Sequence, residues 1–144
     1  MARGYNGAMT RRLILVAALL AIPSIYAQEK FAKSDAKQLT TDDIKKLVDS
    51  KAKMVVVDVR EPDELEKLGT LEGVMNIPLG QVESRWSEVP KDVPLVVLCN
   101  RGARAGKAAD VFKEHGYKDV SYGGLREWKA RGWDLVYPKA GEKH

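Results

Sequence analysis

Two kinds of apolar run divide this chain. Met54–Val57 and Leu95–Leu98 are short, rich in valine and free of polar alternation, the pattern of strands covered on both faces of a parallel sheet. Elsewhere the apolar spacing is helical. Thr40-Thr41-Asp42-Asp43 has capping-box spacing ahead of Ile44, Leu47 and Val48, so a helix begins near Thr41. Pro62 to Leu68 opens with a proline suited to a first turn, and Gln81 to Glu88 is stopped by Pro90. The strongest helical stretch is Ala103 to His115, where Ala105, Ala108, Ala109 and Phe112 share a face and Gly116 ends the run. Asp119–Ser121 reads as a short strand before Gly123-Gly124 and a last helix through Trp128. Strands separated by helices predict βα units with right-handed crossovers, hence an α/β fold with a parallel, doubly wound sheet. Ligands of such sheets sit outside the carboxyl ends of the strands.

The N-terminus follows a different pattern. Residues 1–12 carry Arg3, Arg11 and Arg12 and no acid, Leu13 to Ile22 are apolar, and Pro23 to Ala27 are small or uncharged. This is the layout of a secretory signal peptide with Ala27 its last residue, which predicts a periplasmic or secreted protein. The apolar run is shorter than the roughly 20 residues a membrane-spanning helix needs, so no stable membrane association is expected after cleavage. Arg11-Arg12 before Leu13-Ile14-Leu15 also resembles the start of a twin-arginine signal. The expected organisation is a signal peptide at 1–27, a polar linker at 28–37, one domain at 38–138 and a short tail at 139–144.

Charge changes its meaning once that segment is set aside. The chain has 24 basic and 20 acidic residues; without the three arginines of 1–27, 21 face 20. Neither this near-neutral balance nor any basic stripe interleaved with aromatics suggests nucleic acid. The single cysteine excludes a disulfide within the chain and a multi-cysteine zinc site, and His115 and His144 have no metal-ligand spacing. His115 reads as a cation at a helix C-terminus.

That one cysteine stands where an open α/β sheet places its chemistry. Cys99 closes the run Leu95–Leu98, and Asn100-Arg101-Gly102-Ala103-Arg104 follows before the helix takes over. Gly102 allows a tight turn, and successive amide N–H groups backed by a helix N-terminus form an anion-binding concavity. A helix N-terminus and two guanidinium groups stabilise a thiolate, which is the reactive form of cysteine. Arg104, at the junction of loop and helix, is expected to point at the site.

Several motifs in order resemble the single-domain rhodanese (sulfurtransferase) family along nearly all of residues 28–144. They are Asp58-Val59-Arg60-Glu61-Pro62-Asp63-Glu64, Gly73-Val74-Met75-Asn76-Ile77-Pro78, the loop Cys99 to Arg104, and Tyr122-Gly123-Gly124 with Trp128 and Gly132. The signal peptide and the Cys-Asn start of the loop are most similar to small periplasmic thiosulfate sulfurtransferases of the phage-shock type. The sequence departs from the family pattern at Thr70, where a histidine is usual, and at Ala105, where a serine is usual.

The resemblance implies a rhodanese-like single domain with a mostly parallel sheet of about five strands. It also implies a chemistry that agrees with the loop. The Cys99 thiolate takes the outer sulfur of thiosulfate, sulfite leaves, and the persulfide passes its sulfur to cyanide or a thiol. Backbone N–H groups of Asn100, Arg101, Gly102, Ala103 and Arg104 would hold the persulfide, and Arg101 and Arg104 the anionic donor. Asp58 and Arg60 would support the site without acting chemically. No cofactor is called for. Phosphatases of this fold have a loop one residue longer between Cys and Arg, which separates that chemistry. The alternative class is a sulfur carrier or binding module loaded by a partner protein, and a third is an anion-binding domain whose thiol is merely oxidised.

Overall fold

The computed structural model describes residues 33–139, which form an α/β sandwich around one parallel sheet. The expected signal peptide, residues 28–32 of the expected linker and the tail beyond Lys139 lie outside the described residues. The strands are β1 (Lys37–Gln38), β2 (Val55–Asp58), β3 (Met75–Asn76), β4 (Leu95–Cys99) and β5 (Val120–Gly124), in the order β1-β5-β4-β2-β3. The helices are α1 (Thr41–Asp49), α2 (Pro62–Leu68), α3 (Val82–Arg85), α4 (Ala103–Glu114) and α5 (Arg126–Ala130). α1 starts where the sequence predicts: Thr40 and Asp43 satisfy each other's backbone N–H groups as a capping box.

The β-branched runs became strands buried on both faces because helices cover both sides. Leu95, Val97 and Cys99 face α4 with Ala105, Ala108, Ala109 and Phe112, whereas Val96 and Leu98 face Ile44 of α1 and Leu125 and Trp128 around α5. This period-2 alternation on β4 decides where the thiol lies. Cys99 projects to the α4 side, at the strand's carboxyl end.

Three local expectations are corrected. The stretch Gln81–Glu88 is not one helix but a 3₁₀ turn (Leu79–Gln81), α3 and a second 3₁₀ turn (Trp86–Glu88). Arg85 leaves the helical region at φ −123°, and the Tyr117 hydroxyl lies within hydrogen-bond distance of the carbonyls of both Trp86 and Val89, to either of which it can donate its one proton, which holds the chain in the tighter path. β5 runs on through Gly123 and Gly124, which pair with Leu98 and Cys99; a side chain would collide with Ile44 at Gly123 and with the Asn100–Arg101 backbone at Gly124. Residues 34–37, read as the end of a linker, are joined to the fold. Ser34 Oγ donates to Asp110 on α4 at 2.5 Å, Ala36 is buried, and Lys37 opens β1.

Sequence order along the sheet reverses between β2 and β4. From β4 the chain proceeds through α4 to β5 on one side; from β2 it proceeds through α2 to β3 on the other. Such a switch point leaves a crevice outside the carboxyl ends of the two strands. Asp58 ends β2 and Cys99 ends β4 on its two sides.

Candidate active site

The loop after β4 wraps back over its own cysteine. Cys99 is 1% exposed, and its Sγ accepts a hydrogen bond from the Gly102 N–H at 3.0 Å. Gly102 sits at φ +96°, a left-handed conformation that favours glycine and that turns its N–H inward before α4 begins. Gly102 also accepts the first α4 bond, from Gly106 N–H at 2.8 Å, so the helix N-terminus and the sulfur share one turn. The positive end of the twelve-residue α4 thus faces the sulfur.

Two further contacts fix the loop against the end of β5. Leu125 N–H donates to Cys99 O at 3.0 Å and Arg126 N–H donates to Asn100 O at 2.9 Å. The approach is close enough to require glycine: a Cβ on Gly124 would lie 2.7 Å from Asn100 O and 3.0 Å from Arg101 Cα.

The two arginines of the loop are not equivalent. Arg104 is held by Glu64 of α2, through Nη1–Oε2 at 2.6 Å and Nη2–Oε1 at 2.8 Å. This bidentate contact is the main reason Arg104 is raised above its ordinary pKa, with Cys99 and Asp58 among the lesser causes. Glu64 is correspondingly lowered, chiefly by the Arg104 hydrogen bonds and against the effect of burial. Arg101 is exposed and has no side-chain partner among the described residues. It lines a shallow cleft of about 530 Å³ shared with Asn100, Gly124 and α5. Ala103 is exposed at the start of α4, and Ala105 is fully buried in the core.

Asp58 and Arg60 lie at and just beyond the end of β2, on the other side of the switch point. Both are buried, and their ion pair, closed by Nη2–Oδ2 at 2.6 Å and Nε–Oδ1 at 3.0 Å, leaves no charge unpaired. Thr70 Oγ donates to Asp58 Oδ2 at 2.7 Å, and Arg60 Nη2 donates to Gly69 O at 2.9 Å. Asn76 Nδ2 bridges the carbonyls of Asp58 and Arg60, both at 2.9 Å, and so fixes the exit of β2. His115, read as a helix-terminal cation, sits at the C-cap of α4, stacked on Trp86 at 4.2 Å and bonded to Glu83, away from the thiol loop.

A buried strand-end thiol, cupped by a short loop that opens a helix beside a buried Asp–Arg pair, matches a known domain by sequence. The Rhodanese-like domain model matches residues 40–131. The chain belongs to that family. The yeast protein thiosulfate sulfurtransferase RDL2, mitochondrial, from Saccharomyces cerevisiae is 33% identical over 127 residues, covering 76% of this chain and 83% of RDL2. YrkF of Bacillus subtilis, whose name marks it as a candidate sulfur carrier, is 34% identical over 100 residues, covering 68% of this chain and 54% of YrkF. The chain therefore spans only about half of that relative. Among solved structures, the 30 kDa polysulfide-sulfur transferase homodimer of Wolinella succinogenes superposes with a TM-score of 0.64 at 29% identity, over 82% of this chain and 90% of that one.

Cys99 and Gly102 share the turn that opens α4, and Asp58 and Arg60 pair at the end of β2, each within a motif that carries the resemblance. Glu64, Thr70 and Asn76 were within quoted motifs or departures, but nothing in their spacing showed what they touch. A carboxylate 40 positions from Arg104 becomes its partner only when α2 and α4 meet over the switch point.

Proposed function

We propose that this rhodanese-like chain is a thiosulfate sulfurtransferase that carries sulfane sulfur as a persulfide on Cys99. The observation that supports this best is the Gly102 N–H on Cys99 Sγ, at a helix N-terminus and at the carboxyl end of a central strand. Negative charge developing on that sulfur, or on one attached to it, meets backbone dipoles already aimed at it.

The near-complete burial of Cys99 restricts the donor to one that presents a terminal sulfur through the mouth of the loop. The thiolate attacks the outer sulfur of thiosulfate, a Cys99 S–S bond forms, and the donor's own S–S bond breaks with its electron pair leaving on sulfite. Cyanide then attacks the outer persulfide sulfur, thiocyanate leaves, and the electron pair returns to Cys99 as thiolate. Loop N–H groups of residues 100–104 stabilise the persulfide, and Arg104, steadied by Glu64, contributes positive potential beside it. Asp58 and Arg60 position the end of β2.

A second reading has support from YrkF: the same loop would accept sulfur from a partner protein and hand it on. Intact mass after incubation with thiosulfate separates the two. A gain of one sulfur atom, lost on adding cyanide and absent in Cys99→Ser, is expected for the sulfurtransferase; loading only with a protein donor overturns it. Residues 1–27 support export as part of the proposal. Cleavage after Ala27 on expression in a bacterial host, read by N-terminal sequencing, tests it.

A further inference from the structure

The two faces of the sheet are not covered equally. On the face opposite Cys99, Val96 of β4 is 3% exposed, whereas Val56, its register partner on β2, is only partly buried. Met54, just ahead of β2 on the same side, is also only partly buried. A cavity of about 470 Å³ opens over these two residues, walled by Leu47 and Val48 of α1, by Leu71 and by Leu135. That volume falls within the roughly 300–1,000 Å³ of small-molecule sites, whose linings are apolar with a few orienting polar groups.

The charges around this cavity are unevenly committed. Lys45 and Asp49 pair with each other along α1. Lys51, Glu72 and Asp134 also line it, are exposed, and have no side-chain partner among the described residues. Lys51 stands in the left-handed region at φ 52°, at the end of α1 where glycine is usual. Its N–H donates to Val48 O at 3.1 Å and the Ala52 N–H to Leu47 O at 3.4 Å, so a lysine is held on strained backbone at the rim. Glu72 and Asp134 come from the two segments that the Thr70–Val136 bridge joins. Two carboxylates thus belong to one part of the lining and an ammonium to another, each without an internal counter-ion.

We propose that this cavity binds a short apolar peptide with both termini free. The peptide's side chains cover Met54 and Val56, its ammonium meets Glu72 and Asp134, and its carboxylate meets Lys51. An apolar cation would leave Lys51 unanswered, and an apolar anion would add to the two carboxylates already there. A single amino acid carries both charges on one carbon, so it presents them to one part of the rim. Two extended residues separate them by up to about 7 Å, and the apolar side chains between them match the walls. The site is independent of the sulfur chemistry, because Cys99 projects to the α4 side of the sheet.

Calorimetric titration of the full chain with leucylleucine, its N-acetyl form and its amide tests this. Leucylleucine is expected to bind best, with acetylation and amidation each weakening it about fivefold and both penalties shrinking as salt is raised. In Glu72→Gln combined with Asp134→Asn, the acetylation penalty is expected to fall to about twofold or less while the amidation penalty stays. Lys51→Gly suits the left-handed backbone, so it is expected to fold as stably as the wild type and to lose the amidation penalty alone. Cys99→Ser is expected to bind leucylleucine as the wild type does. Absence of binding overturns the proposal, as does equal binding of the three peptides or loss of binding in C99S. Self-association of the chain that Val136→Glu abolishes would give this face to a second copy and overturn it as well.

Discussion

Glu64 and Arg104 meet across 40 residues of sequence, and both carboxylate oxygens are used, at 2.6 and 2.8 Å. The pair ties α2, which leaves the β2 end of the switch point, to the first turn of α4, which carries the thiol loop. Arg104 is therefore a cation with a fixed position and a partly neutralised field. Replacing Glu64 by Gln removes a negative charge from the neighbourhood of a dianionic donor and slackens the tether at once. The expected kinetic result is a split: KM for thiosulfate falls about threefold while kcat also falls, by a similar factor. Steady-state kinetics with cyanide as acceptor check it; a rise in KM would show that Glu64 helps to bind the donor.

The same pair sets a pH dependence of stability. Glu64 is held below the ordinary glutamate value of 4.5, mainly by the Arg104 hydrogen bonds. A carboxylate with a lowered native pKa stabilises the fold above the unfolded value, and that stabilisation is lost as pH falls through the native one. The Arg104 side chain is 38% exposed, so solvent screening limits the contribution to about 1 kcal/mol or less. Urea midpoints of the wild type and E64Q should differ by a constant amount near neutral pH. The gap should close as pH falls from 4.5 downward. A gap that persists at low pH would mean that E64Q acts through packing instead.

Gly124 illustrates a position where backbone approach, and not backbone conformation, demands glycine. Its Cβ would meet Asn100 O at 2.7 Å and Arg101 C at 2.9 Å, so Gly124→Ala must push the thiol loop away from β5. Neither neighbour is the yielding end of a side chain. Gly80 has open space at its Cβ and no positive φ, so Gly80→Ala is the matched control. Persulfide loading is expected to slow at least tenfold in G124A and to stay within twofold of wild type in G80A. Mass spectrometry of timed thiosulfate incubations reads both.

How much of this was legible beforehand depends on what carried each feature. β2, β4 and α4 announce themselves because runs of valine and a stripe of Ala105, Ala108, Ala109 and Phe112 are periodic over many residues. β1 and β3 are two residues each at the sheet edges, too short for any period to register. Cys99 could be placed because a strand end followed by a glycine turn and a helix is a local pattern. The partner of Arg104 could not. Sequence spacing orients Arg104 toward the loop, but only the packing of α2 on that loop brings Glu64 to it. Thr70, standing where the family pattern has a histidine, likewise has no visible partner until the antiparallel bridge to Val136 sets it over Asp58.

That last contact can be ranked against its neighbours. Asp58 is fully buried, with Arg60 and Thr70 both donating to its carboxylate. Arg60→Met leaves a buried carboxylate with the Thr70 hydroxyl and backbone as its only partners, and removing one member of a buried pair costs about 3–5 kcal/mol. Thr70→Val is milder because the Arg60 contacts remain: it deletes one hydrogen bond to a charged group while keeping the shape, at about 1.5–3 kcal/mol. Thr70→Ser keeps the hydroxyl and loses only a buried methyl, at about 1 kcal/mol. The expected order of destabilisation in urea titrations is therefore R60M, then T70V, then T70S. If T70S proved as costly as T70V, the hydroxyl bond to Asp58 would not be what Thr70 supplies, and its contact with the C-terminal segment at Val136 would take that place.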